Sequence, residues 1–128
     1  MTRSSLAGLA LLAFALAGAW AAAVQAHHSY AMFDQGKVLT VQGTIARVEW
    51  VDPHVWVWAY VRNDKGEYDL YGFETGSIGA LARQGWTTAT LKVGDKVSIE
   101  YNPLRDGRKG GYFRSATFGD GKKTPGQG

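Results

Sequence analysis

Three histidines carry the first hint of chemistry in this chain: His27, His28 and His54. His27 and His28 are adjacent and follow Val24-Gln25-Ala26, which places small residues at the −3 and −1 positions of a signal-peptidase site. Cleavage there makes His27 the first residue of the mature chain, with an α-amine beside its own imidazole. An α-amine of pKa about 7.7–8.0 and imidazoles of pKa about 6.5 are available as neutral ligands near neutral pH. An all-nitrogen, tetragonal donor set favours Cu(II), which stands at the top of the divalent affinity order. In ligand inventory His27, His28 and His54 resemble a histidine brace. The competing reading is a solvated His27-His28 end, with His54 a strand-cap residue bonded to backbone. With no cysteine in the sequence, thiolate sites and disulfides are excluded.

A second candidate is aromatic. From His54 to Arg62, Val55, Val57, Ala59 and Val61 share one parity, and His54, Trp56, Trp58, Tyr60 and Arg62 the other. Period-two alternation marks a strand with two environments. The valine side suits a core. Trp56, Trp58 and Tyr60, with Tyr71 and Phe73 of the next strand as possible neighbours, suit a ligand platform of the kind used for bases or sugars. The alternative is that the arm Tyr30–Phe33, or a helix, covers these rings. Arg105, Arg108, Lys109 and Arg114 read as a solvated basic surface. No Gly-x-Ser-x-Gly elbow, phosphate-binding glycine loop or His-Glu-x-x-His is present, so enzyme activity is not the expectation.

The elements that would position these residues fit one domain. Residues 1–26 form the leader, with Arg3 before an apolar, alanine-rich run; a membrane anchor of that length is the alternative. Export to the periplasm or beyond is therefore expected. Residues 27–36 are an arm. Lys37–Val51 is a first strand whose apolar phase slips near Ala46-Arg47, the mark of a bulge or sharp bend. Asp52-Pro53 is a corner, and Asn63-Asp64-Lys65-Gly66 a hairpin turn. Strands follow at Glu67–Phe73, Lys96–Tyr101 and Tyr112–Phe118. Between the third and fourth lies a short helix at Gly76–Gln84, capped by Thr75 or Ser77, with Ile78, Leu81 and Ala82 on one face and Gly85 after its end. This order predicts a mostly β fold, a five-stranded OB-like barrel over residues 37–118 with one short helix; an open sheet or sandwich is the alternative. Residues 119–128 read as a disordered tail. Formal charge is +3, and removal of Arg3 with the leader leaves 13 basic against 11 acidic residues. So small an excess does not call for a nucleic-acid partner. A monomer binding a small ligand or a protein is expected, with no membrane association once the leader is cut.

Four motifs in order, Ala-His-His-Ser at 26–29, Glu-Trp-Val-Asp-Pro-His at 49–54, Leu-Ala-Arg-Gln-Gly-Trp at 81–86 and Pro-Leu-Arg-Asp-Gly at 103–107, resemble small exported bacterial proteins known as domain of unknown function 6152. The resemblance spans nearly all of the mature chain. It differs at the corner, where Asp52-Pro53-His54 stands in place of Asn-Pro-His. That family has no established activity, so the resemblance implies export and fold and leaves function to the residues.

Overall fold

A computed structural model describes residues 30–126. The His27 and His28 ligands and the leader lie outside the described residues. From Phe33 onward the chain is a closed barrel in the order β1-β2-β3-β5-β4. Its strands are β1 (Leu39–Glu49), β2 (Trp56–Arg62), β3 (Tyr68–Glu74), β4 (Lys96–Pro103) and β5 (Gly110–Phe118), with helix α1 (Ile78–Arg83) between β3 and β4. This is the OB-like arrangement expected from the order of elements.

Closure depends on β1 serving two neighbours. Its first half, Leu39 to Thr44, pairs with β4, and Gly43 to Glu49 pairs with β2. The ladder slips between Ile45 and Arg47, where the apolar pattern changes phase. A bulge there strengthens the twist and lets one strand turn between two sheet directions. The last seam is parallel and short, Gly72–Glu74 against Gly110–Tyr112. It requires glycine: a Cβ on Gly110 would collide with the Gly72 carbonyl, and Gly110 has φ +127°.

The core follows the β2 alternation. Val55, Val57 and Ala59 are sealed, together with Ile45, Phe73, Ile99, Phe113 and Ala116. Leu39, placed on the buried parity of β1, is exposed instead. Helix α1 is capped by Ser77 rather than Thr75: Ser77 Oγ accepts from the Ala80 N–H at 3.2 Å. At its other end Gly85 takes φ +96°, the Trp86 N–H reaches the Leu81 carbonyl and the Gly85 N–H reaches Ala82, which is a Schellman closure. Leu81 and Trp86, the hydrophobic pair of that closure, are both buried, whereas Ala82 faces solvent.

The expected disordered tail is corrected over its described part. Phe118 N–H donates to Lys122 O, and Thr124 N–H to Ala116 O, which folds residues 119–126 back beside β5. Thr124 Oγ1 accepts from Ala116 N–H at 3.0 Å, and Pro125 O accepts from Trp86 Nε1 at 2.9 Å. Backbone and hydroxyl groups hold this segment, which hydropathy cannot register.

Candidate functional site

His54 follows the Asp52-Pro53 corner, whose peptide bond is cis. Two contacts fix the corner. Asp52 Oδ1 accepts from the Ile78 N–H at 3.0 Å, tying it to the first turn of α1. Val55 exchanges backbone bonds with the segment after β3, donating to Gly76 O and accepting from the Thr75 N–H, both at 2.9 Å. His54 thus stands at the end of the β2–β3 ladder, two residues before Trp56 and on the same face.

That ladder pairs Trp56 with Glu74, which brings the Glu74 carboxylate diagonally under His54. His54 Nδ1 lies 2.6 Å from Glu74 Oε1; the Glu74 side chain is only 8% exposed and the His54 side chain 38%. A buried acceptor at this distance selects the Nδ1–H tautomer and fixes the ring plane. The lone pair left for a ligand or a proton is then on Nε2. Among the described residues no three His, Asp or Glu side chains gather into a metal-holding group. His54 is accordingly one oriented donor. Glu74, which sequence reasoning passed over, is its positioning residue. The signal was countable: once the turn pairs Asn63 with Glu67, continuing the register sets Trp56 opposite Glu74.

The outer face of β2 divides into two parts. Near His54, Trp56 and Trp58 stack with centroids 5.7 Å apart and planes at 22°. The Arg47 guanidinium lies 4.5 Å from the Trp58 ring centre and donates to Glu49 at 2.7 Å. Trp58 rests on Gly72, where a Cβ would come within 2.7 Å of the ring. This cation–aromatic stack is a packed layer and leaves both indoles half-buried. Arg47 holds the Glu49 carboxyl below its ordinary value; burial opposes this, and the Trp58 indole adds a smaller lowering. That indole N–H does not reach hydrogen-bond geometry with any described residue.

Two expectations about this face are corrected. Tyr71 and Phe73 do not join it, because they pair with Ala59 and Val57 and point inward, meeting Tyr101 edge-on. The outward partners on β3 are Tyr68, Leu70, Gly72 and Glu74. Nor does Phe33 cover the tryptophans: it is buried beside Tyr112, bridging to Leu104, while Tyr30 and Met32 are exposed. At the far end of β2, Tyr60 and Tyr68 stand open, 49% and 66% exposed.

The basic loop is paired locally. Arg108 meets Asp106 at 2.7 Å, Lys109 meets Asp69 at 2.6 Å, and Arg105 lies 4.0 Å from Asp34. Arg114 Nη1 donates to Asn102 Oδ1 at 3.4 Å. The Lys109 ammonium holds the Asp69 carboxyl below the usual range, against the opposing effect of burial.

No curated protein and no solved structure matches the chain. A family model matches residues 15–114, a span that contains the Asp52-Pro53-His54 corner, the Glu74 carboxylate and the whole outer face of β2. By that match the chain belongs to the family of unknown function DUF6152.

Proposed function

We propose that this protein is an exported metal-binding module, with Cu(II) the expected ion and His54 the ligand supplied by the folded barrel. His27, through its α-amine and ring, supplies the other principal nitrogens, and His28 is accessory. The observation that supports this reading is the His54–Glu74 pair. A half-exposed imidazole whose Nδ1 is 2.6 Å from a nearly buried carboxylate is oriented at a cost that a simple surface histidine has no reason to carry. Such a carboxylate fixes the tautomer and the ring plane, and leaves Nε2 for the metal. Copper ranks first because imidazole and amine nitrogens suit it and no thiolate competes. Export rests on the Val24-Gln25-Ala26 site.

The test is copper titration of exported protein whose N-terminus has been verified at His27. His54→Ala is expected to weaken binding far more than His28→Ala. An extra residue before His27 is expected to remove most of the affinity, because it separates the amine from its ring. Affinity should also fall as the solution is made more acidic, since protons compete for the same nitrogens. Copper affinity unchanged by His54→Ala would falsify the folded site, because a flexible terminal His-His end chelates copper without any barrel.

A further inference from the structure

The open end of the outer face is built differently from the His54 end. Tyr60 and Tyr68 wall a groove of about 400 Å³ whose floor and far side include Thr44, Lys96 and Ser98, with Arg62 at its rim. Register explains the grouping. Thr44 pairs with Tyr60 on one side and with Lys96 on the other, so the three form a row across β2, β1 and β4. Facing residues in such a row have Cβ atoms about 4.5–5.5 Å apart. Tyr68 pairs with Arg62 and is therefore diagonal to Tyr60, at about 7–8 Å. Arg62 and Lys96 have no carboxylate partner among the described residues, whereas Arg47, Arg108 and Lys109 each have one close by. The groove lies about 20 Å along β2 from His54, so it is separate from the proposed metal ligand.

We propose that this groove binds an acidic oligosaccharide. The argument is complementarity of three kinds. Two exposed tyrosine rings offer flat apolar faces of the sort that stack on the C–H faces of sugar rings, and their hydroxyls remain wet. Thr44 and Ser98 offer short hydroxyls that donate and accept, which suits a ligand rich in hydroxyl groups. Arg62 and Lys96 offer two unpaired cations at the edges, which suits carboxylates carried on the sugars. An apolar ligand would cover both cations without pairing them, at a desolvation cost. A neutral sugar would leave them unused. The volume falls within the range of small-ligand sites.

The experiment titrates the mature protein, in EDTA, with trigalacturonate, with neutral galactotriose and with a short oligothymidylate, following backbone amide shifts by NMR. EDTA keeps the outcome independent of the metal reading. Trigalacturonate is expected to shift the amides of Thr44, Tyr60 and Lys96. Galactotriose is expected to bind about tenfold or more weakly, as is trigalacturonate to an Arg62→Gln/Lys96→Gln double variant, since each charged hydrogen bond lost carries at least that factor. Tyr68→Ala serves as a second variant and should weaken the acidic and neutral sugars alike. All three positions are exposed, so melting temperatures should stay at the wild-type value. The proposal is overturned if trigalacturonate shifts no amide in the groove, if the double variant binds it as well as wild type, or if oligothymidylate binds more tightly than the acidic sugar.

Discussion

Gly72→Ala should destabilise the barrel, and should do so only while Trp58 is present. A Cβ built on Gly72 would lie 2.7, 3.0 and 3.2 Å from three carbons of the Trp58 ring. Carbon atoms in good contact sit about 3.5–4.0 Å apart, so the ring must withdraw by about 1 Å. It has little freedom to do so. Trp56 stacks on it at 5.7 Å, and the Arg47 guanidinium, itself anchored by Glu49, lies 4.5 Å from its centre. Overpacking of this kind costs about 1–3 kcal/mol. The backbone change works the other way: Gly72 is not among the glycines with positive φ, and replacing glycine by alanine in a strand gains about 0.5–1 kcal/mol. The net expectation is a loss of about 1–2 kcal/mol in the wild-type background. In a Trp58→Val background the clash has no partner, and the same substitution should become stabilising by about 0.5 kcal/mol. Urea unfolding of the four proteins in the cycle gives both numbers and their difference, a direct coupling energy. Equal effects of Gly72→Ala in the two backgrounds, of either sign, would show that Trp58 does not rest on Gly72.

Three further outcomes are expected. Glu74→Gln keeps an acceptor for His54 Nδ1 but removes the charge; copper affinity should fall about 10–100-fold while stability changes by about 1 kcal/mol or less, and an unchanged affinity in titration calorimetry would show that Glu74 does not tune the ligand. A chain ending at Gly119 loses the bonds from Phe118, Ala116 and Trp86 to the returning segment; at about 0.5–1.5 kcal/mol each it should be about 2–5 kcal/mol less stable, whereas a free tail would leave the urea midpoint in place. Stability should also fall at both pH extremes. Asp69, lowered from 3.8 chiefly by Lys109, contributes stability present above that value and lost as pH falls below it, so Lys109→Gln should flatten the acid limb; Tyr101, raised above 10.0 by burial and then by Tyr71, is deprotonated first in the unfolded chain, so stability drops above about pH 10 and Tyr101→Phe should remove that loss, with chemical denaturation across pH as the measure.

Much of the architecture was legible because the controlling signals are local. The β2 alternation, the Asn63–Gly66 turn, the Ala46-Arg47 phase slip and Gly85 each act within a few residues, and each produced the expected element. What was not legible depends on register or on backbone bonding. Tyr71 and Phe73 look like platform residues until the hairpin register assigns them to the parity of Val57 and Ala59. Glu74 is one carboxylate among 11 acidic residues, and only the ladder opposite Trp56 singles it out. The segment after Phe118 has no apolar residue to bury, yet Thr124 and Pro125 hold it through oxygen atoms that accept bonds from the core strand and from Trp86.

The aromatic rings on one strand therefore have two different physical fates. Trp56 and Trp58 come after the corner, where β1 pairs with β2 and places Arg47 opposite Trp58. There the rings are consumed by one another, by the guanidinium and by the glycine beneath Trp58. A ligand entering that stack would have to displace Arg47 from both Trp58 and Glu49. Tyr60 lies one pair further along the same face, past the bulge, where its partner on β1 is the small Thr44 rather than an arginine. On β3 its partner is Leu70, where Trp58 has Gly72. A single-residue slip in β1 thus changes which side chain faces each ring. The slip turns what would be a uniform aromatic stripe into a packed layer toward the His54 end and an open, cation-edged groove at the other.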